Sequence, residues 1–240
     1  AIIGGGVVTL GGTLGDKDLS LIEHTELRLE DTTTAVLNVK SGANIVLEAD
    51  AAALTFATTD DFDTGADSIT ITLEAEQTTQ ALVFDNGAEN SENDFETVNI
   101  VIDPNSDFVD TQDFNIGALS GNNVTDGSAT NFVITSADDA VEVTIGASDA
   151  ASVDASGVAG EFDFTQLAVD EDLTVVAAAD ETTANFTGTD ADSTFISGNS
   201  ADDTVTLDTT GGTAYVSFTA GDNSVSSGGV LTGTLVVEGG

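Results

Sequence analysis

Polar and apolar residues alternate with a period of two along much of this chain. Residues 68–73 read Ser-Ile-Thr-Ile-Thr-Leu, and the same pattern recurs at residues 98–102, 141–145, 204–207, 215–218 and 231–237. Alternation combined with many β-branched residues is typical of strands that bury one face. Gly, Asn, Asp and Ser fill the segments between them and favour turns. The sequence therefore predicts an all-β fold of short strands joined by frequent turns.

Helix signals are weak, whereas short segments of the chain resemble one another. Residues 136–141 (SADDAV) are nearly repeated at residues 200–205 (SADDTV), and residues 65–71 are a looser copy. Glycines recur every ten to thirteen residues in the C-terminal third, at Gly188, Gly198, Gly211 and Gly221. Repetition favours a β-solenoid of the parallel β-helix or β-roll type. The same spacing also suits hairpins, so antiparallel β-sandwich domains are the alternative.

Acidic side chains outnumber basic ones by 43 to 3, giving a formal net charge of −40. Binding a nucleic-acid backbone requires cations that displace its counterions, so nucleic acid is excluded as a partner. Anionic membrane surfaces are excluded for the same reason. Hydrophobic residues make up 40% of the 240 residues, which is enough for a sizeable core and argues against disorder. We expect bound cations or salt to compensate the negative charge.

The N-terminal part of the chain differs in composition from the rest. Residues 1–15 are apolar and rich in glycine, and the three cations, Lys17, Arg28 and Lys40, follow directly. We therefore divide the chain into a strand-rich segment, residues 1–58, and a repeat-like β domain, residues 59–240, with one continuous domain as the alternative. The first strand can pair within its own subunit or act as an assembly arm that adds to a neighbour's sheet edge.

Targeting signals and cysteine chemistry are both absent from the sequence. No stretch approaches the ~20 apolar residues of a membrane span, so we expect no membrane insertion. The chain opens at Ala1 without Met and without a recognisable signal peptide, which fits a removed leader, a C-terminal export signal or a fragment of a larger protein. Without cysteine, disulfides and thiolate metal sites are excluded.

Oxygen-bearing side chains cluster in three predicted loops. The clusters are Asp103, Asn105, Asp107 and Asp110, with Asp113 beyond them; Asp60, Asp61 and Asp63, with Asp67 beyond them; and Asp190, Asp192, Asp202 and Asp203, if adjacent coils stack. The first cluster resembles the start of an EF-hand loop, although Phe108 stands where that loop has its glycine and the final Glu is missing. Hard oxygen ligands select hard cations, so we predict calcium at these loops, with plain solvated turns as the alternative.

Little in the sequence supports catalysis. His24 is the only histidine, so a Ser–His–Asp triad has a single possible base, and zinc chemistry requires more His or Cys. The chain has no Trp and one Tyr, the residues that usually form carbohydrate platforms, and residues 41–240 contain no Lys or Arg. We therefore predict that the protein is not an enzyme.

Several phrases of the sequence carry a family resemblance. They are residues 95–100 (FETVNI), 153–157 (VDASG), 172–178 (DLTVVAA), 186–192 (FTGTDAD) and 198–207 (GNSADDTVTL). Together they resemble bacterial surface-layer proteins with degenerate RTX-type repeats, over roughly residues 60–225. Gly198, Asp203 and Val205 match the first, sixth and eighth positions of the RTX nonapeptide, whereas Asn199 and Ala201 replace two of its glycines.

The resemblance implies a secreted protein that folds with calcium and assembles into sheets on the bacterial cell surface. Our first hypothesis is therefore an extracellular structural protein that self-assembles as a surface layer (S-layer) or filament. Its main partner is then other copies of itself, with cell-surface polysaccharide as a further partner. The alternative hypothesis is a calcium-dependent adhesin or binding module of a larger repeat protein.

Overall fold

The structure is a computed structural model. It describes residues 6–10, 17–18, 26–30, 35–49, 53–58, 67–75, 77–84, 95–103, 112–120, 131–148, 150–166, 172–187, 192–208, 212–229 and 231–239. These residues form 21 β-strands. Among them, no helix is long and apolar enough to cross a membrane.

The strands alternate between two sheets along the chain. The odd-numbered strands form an eleven-stranded sheet, in the order β1 (Val7–Leu10), β3 (Glu26–Leu29), β5 (Ala43–Leu47), β7 (Ser68–Leu73), β9 (Thr97–Ile102), β11 (Asn131–Ser136), β13 (Ser152–Val158), β15 (Leu173–Val176), β17 (Ser193–Ser197), β19 (Thr213–Phe218) and β21 (Thr234–Glu238). The even-numbered strands form a ten-stranded sheet, in the order β2 (Lys17–Asp18), β4 (Ala35–Val39), β6 (Ala53–Thr58), β8 (Gln77–Val83), β10 (Gln112–Ser120), β12 (Val141–Ser148), β14 (Phe162–Gln166), β16 (Thr182–Phe186), β18 (Thr204–Leu207) and β20 (Ser224–Ser227).

Each strand pairs in parallel with the strand two positions along the chain. One coil therefore contributes one strand to each sheet, and the molecule is a two-sheet β-solenoid. The prediction of an all-β solenoid is confirmed, and antiparallel sandwich domains are excluded for the described strands. The alanine-rich segments at residues 147–158 and 177–184, where the helix signals are weak, contain or overlap the strands β13 and β16.

Coil length is regular towards the C-terminus and longer in the middle of the chain. Side-chain hydrogen bonds between neighbouring C-terminal coils join residues 19 to 23 positions apart. In the middle, Asp67 bonds to Glu96 across 29 positions and Asn131 bonds to Glu96 across 35. The interval of ten to thirteen residues at which glycines recur in the sequence therefore corresponds to half a coil, which consists of one strand and its turn. Gly198 follows β17, Gly221 precedes β20, and Gly188 and Gly211 lie outside the described residues.

Gly221 shows why a glycine is required at one of these turns. Its φ is +97°, a conformation that residues with a Cβ rarely adopt. A Cβ placed on Gly221 would lie 2.1 Å from the carbonyl oxygen of Ala201 in the preceding coil. Only glycine lets the backbone of one coil lie this close to the next.

The inner faces of the two sheets form one hydrophobic core. In β7, Ile69, Ile71 and Leu73 are buried while the residues between them are half-buried, as the period-two pattern predicts. The ring of Phe84, after β8, stacks on Phe56 of β6 with centroids 5.1 Å apart. It also reaches across to Phe132 of the other sheet at 5.6 Å. Buried phenylalanines thus join the two sheets.

Strands on both sides of the predicted boundary at residue 58 belong to the same two sheets. β5 pairs with β7, and β6 pairs with β8. The role of residues 1–58 as an assembly arm stays a prediction.

Candidate functional site

The acidic residues of the described chain lie mainly in turns beside strand ends, at the corners of the solenoid. In the corner that precedes β15, β17 and β19, Asp172 Oδ1 accepts a hydrogen bond from the backbone N–H of Asp192 at 2.9 Å. Asp192 Oδ1 in turn accepts one from the N–H of Thr213 at 2.6 Å. Each carboxylate therefore satisfies a backbone donor of the following coil. We call Asp172, Asp192 and Thr213 the first corner ladder.

A second corner ladder, Thr182, Asp203 and Asn223, precedes β16, β18 and β20. Here Asp203 Oδ1 accepts from the backbone N–H of Thr182 at 2.9 Å, and Asn223 Oδ1 accepts from that of Asp203 at 2.7 Å. These side chains reach back to the preceding coil, opposite to the direction of the first ladder. Backbone N–H groups at a turn need such partners when the strand ladder does not supply them.

Asp203 is the exceptional member, because it is only 1% exposed. Its second carboxylate oxygen, Oδ2, is buried without a hydrogen-bond partner. The neighbouring polar groups are engaged elsewhere: Ser197 Oγ donates to Asn199 Oδ1, and Asn199 Nδ2 donates to the carbonyl of Ala178. Burial raises the pKa of Asp203, and the polar groups of Ser197, Thr182 and Asn199 partly oppose this. A carboxylate in this position is destabilised by incomplete solvation.

The predicted calcium ligands fall in several places. Asp103 is described and lies exposed after β9. Asp67 is buried, and its backbone N–H donates to Glu96 Oε2 at 2.6 Å. The other members of the first two predicted clusters, and Asp190 of the third, lie outside the described residues: Asn105, Asp107, Asp110, Asp60, Asp61 and Asp63. His24 lies outside them as well.

The described members of the third predicted cluster lie at different corners. Asp192 comes directly before β17, whereas Asp202 and Asp203 come after it. A strand of this length spans roughly 16 Å at ~3.3 Å per residue, so the structure does not bring Asp192 close to the other two. Asp202 Oδ1 accepts from the N–H of Asp222 at 2.7 Å. In the described parts of the chain, no three acidic or histidine side chains are grouped as metal ligands. Calcium binding stays a prediction.

Arg28 is the centre of an ion-pair network on the outer face of the eleven-stranded sheet. Its guanidinium donates to Glu48 at 2.5 Å, to Glu26 at 2.9 Å and to Glu74. The three glutamates come from successive strands β3, β5 and β7 or their ends, so one cation joins three coils. The hydrogen bonds to Glu74, Glu26 and Glu48 raise the pKa of Arg28 further above its ordinary value.

Replacing Arg28 with glutamine should lower the free energy of unfolding by about 1–3 kcal/mol, because charge-assisted hydrogen bonds are lost and three carboxylates repel each other. Thermal and urea unfolding followed by circular dichroism measures this loss. Lys40→Gln is the matched control, since it removes the same charge from an exposed side chain. Equal losses in the two variants would show that only the net charge matters and that the network contributes nothing.

Sequence reasoning missed the corner ladders and the Arg28 network. Asp172 and Asp192 each stand directly before a strand, 20 residues apart, and this interval was a usable signal. The partners Glu48 and Glu74 become neighbours of Arg28 only through the strand register. No local sequence pattern predicts that register.

Comparison of the chain with protein-family models, with curated proteins and with solved structures finds no match.

Proposed function

We propose that this protein is a secreted structural protein of the bacterial cell surface that assembles with copies of itself, as a surface layer or a filament. The observation that carries the proposal is a rod of stacked coils with a repeated, uncharged line of side chains on one outer face. On the eleven-stranded sheet, one line of outward positions from β7 to β19 consists of Ser68, Thr97, Asn131, Ser152, Thr174, Thr194 and Tyr215. A face that repeats the same chemistry in coil after coil suits repeated contacts with identical subunits.

The separation of charge between faces and corners supports the same function. Acids such as Asp138, Asp139, Asp180 and Glu181 are exposed in the turns, while the strand faces between the turns carry few charges. Copies that approach side by side must therefore bring acidic corners together, and this repulsion needs compensation. We propose that calcium bridges these corners between copies or binds the acidic loops outside the described residues. This placement agrees with the lack of a grouped ligand set in the described part of a single copy.

The depressions on the described surface are shallow, and turn residues contribute to their linings. One of them is lined by Asp139, Ala140, Val141 and Glu142 together with Glu161 and Asp180 of the following coils. Such a depression offers carboxylates but no cationic or imidazole group. This lining is better suited to cations than to the binding of an anionic substrate.

Removing divalent cations should break up the assembly. We expect ordered sheets or fibres in negative-stain electron microscopy with millimolar CaCl₂, and dispersed particles after chelation with EDTA at low ionic strength. Samples matched in ionic strength with NaCl separate bridging from simple screening, because screening depends only on ionic strength. Ordered assemblies that survive exhaustive chelation would refute calcium bridging. Particles that stay single under every condition but bind a glycan would support the binding-module alternative instead.

A further inference from the structure

The backbone hydrogen bonds of this solenoid follow one directional rule. Residues on the outward side of a strand donate their N–H to the preceding coil, as Glu48 does to Leu29 and Glu74 does to Leu47, both at 3.0 Å. Inward-facing residues donate to the following coil, as Leu173 does to the carbonyl of Asp192 at 3.0 Å. This follows from the alternating direction of N–H groups in a parallel sheet. Each strand thus has a different hydrogen-bonding edge on each side.

The first and last strands of the eleven-stranded sheet each leave one such edge unpaired among the described residues. β21 pairs with β19, and Leu235 and Val237 stand opposite the buried residues Ala214 and Val216. They are therefore the inward residues whose N–H groups point away from β19, and they are 41% and 49% exposed. β1 pairs with β3, so its outward residues, of which Val7 is 60% exposed, point their N–H groups away from β3.

These two edges complement each other. A strand that pairs with the free edge of β21 must point the N–H groups of its own outward residues towards β21. Its carbonyl groups must accept the N–H groups of the inward residues of β21. The free edge of β1 meets both conditions. Placing Thr234 opposite Val7 aligns inward Leu235 with Val8 and inward Val237 with Leu10, since Val8 and Leu10 pack against the core. A shift of one residue would turn the inward side chains outward. The register is therefore restricted by the same side-chain alternation that holds within the molecule.

Charge distribution favours contact at these two ends. Residues 1–15 and residues 223–237 contain no acidic side chain, although the chain as a whole has a net charge of −40. Neither β1 nor β21 contains the Lys or Pro that commonly protects an exposed strand edge. β1 contains no charged residue and β21 contains one, Glu238 at its C-terminal end, so these two strands can approach each other more readily than the acidic corners can.

We propose that β21 of one copy pairs in parallel with β1 of the next copy, so that the eleven-stranded sheets join end to end in a head-to-tail stack. This inference rests on the proposed self-assembly and specifies the contact between copies along the axis of the solenoid. The occupant of each edge is a second copy of this chain, because β1 and β21 match in strand polarity and register and together carry a single charged residue, Glu238. The ten-stranded sheet has one strand fewer, so one strand position stays open beside this contact.

Two proline variants test the contact from its two sides. Val237→Pro removes an N–H that points away from β19, and Thr9→Pro removes one that points away from β3, so neither removes a ladder bond within the molecule. We expect the wild-type chain to form oligomers that grow with protein concentration and with added NaCl, which screens the acidic corners. Each variant alone should remain monomeric in sedimentation velocity at concentrations at least tenfold above those at which the wild-type chain associates.

Mixing the two variants is the decisive measurement. Thr9→Pro keeps an intact β21 edge, and Val237→Pro keeps an intact β1 edge, so the mixture should form dimers and nothing larger. A head-to-tail contact predicts this outcome, whereas a two-fold symmetric contact does not. Mixtures that stay monomeric, or variants that oligomerise alone like the wild-type chain, would overturn the proposal.

A charge substitution keeps the test valid if a proline variant fails to fold. Val237→Glu should abolish stacking, while Ile196→Glu, which changes a 39% exposed residue on β17, a strand paired on both sides, should leave it intact. Tyr215 reports on folding in all variants, because it is the only Tyr in a chain without Trp and its hydroxyl donates to Glu238 of β21 at 2.7 Å. Calcium-dependent sheets that persist in Val237→Glu would disprove end stacking and leave the proposed function standing. A wild-type chain that never assembles would disprove both.

Discussion

Replacing Phe84 with alanine is expected to lower the free energy of unfolding by about 3–5 kcal/mol, the range for large aromatic residues removed from a core. Phe84 is 1% exposed and its ring contacts those of Phe56, Phe95 and Phe132, with centroids 5.1, 6.5 and 5.6 Å away. Because these partners come from both sheets, the substitution would leave a cavity between the two sheets, in the part of the chain where the coils are longest. Urea unfolding followed by far-ultraviolet circular dichroism measures the loss.

Phe218→Ala is the matched control for that experiment. Phe218 is 8% exposed and has a described ring contact with Phe195 at 5.9 Å, near the C-terminal end of the stack. Its removal should lower the free energy of unfolding by clearly less than the Phe84 change does. Equal losses would contradict the view that Phe84 joins the two sheets.

Replacing Asp203 with asparagine is expected to raise the free energy of unfolding at pH 7. Burial raises the pKa of Asp203 in the folded state, so the ionised carboxylate lowers the stability of the folded protein at neutral pH. Asparagine retains an oxygen that can accept the N–H of Thr182. It also places an amide where the carboxylate oxygen Oδ2 has no hydrogen-bond partner.

The sign of the pH dependence follows from that direction. Below the ordinary aspartate pKa of about 3.9, the carboxyl is protonated in both states and does not change stability. As the pH rises above this value, the unfolded chain loses its proton first, so the folded wild-type protein becomes relatively less stable. The penalty is complete once the pH exceeds the raised pKa of the folded state. The Asp203→Asn variant should therefore gain most at neutral pH and little near pH 3.

Asp202→Asn serves as the control, because it removes the same charge from an exposed neighbour and therefore relieves the general repulsion equally. Thermal melts of both variants between pH 3 and pH 8 isolate the effect of burial. If Asp203→Asn instead destabilises the protein at pH 7 only when calcium is present, then the Asp203 carboxylate binds a cation.

The period-two pattern predicted the strands well because it reflects which face of each strand is buried. Residues 68–73 and 204–207 are strands with the predicted bounds. Residues 231–237 were predicted as one strand, but β21 begins at Thr234, after the Gly233 turn. Parallel pairing followed from repetition and not from any single segment. Alternation alone is the same in parallel and antiparallel sheets.

The functional groups were harder to predict than the fold. The near-repeat at residues 200–205 indicated an acidic turn, but the sequence does not show that Asp202 is exposed while its neighbour Asp203 is buried. Similarly, the pairing of Asp172 with Asp192 depends on coil length, which varies along the chain. Contacts between coils require the register, and the register is set by the whole stack rather than by local residues.

The two corner ladders run in opposite directions, and this has a consequence for how the rod resists disruption. In the first ladder, Asp172 and Asp192 accept hydrogen bonds from the coil after them. In the second ladder, Asp203 and Asn223 accept hydrogen bonds from the coil before them. The C-terminal coils that carry these ladders therefore depend on both of their neighbours for backbone hydrogen bonds. Melting should therefore start at the two ends, where one neighbour is missing, and longer stacks should fray over a smaller fraction of their length.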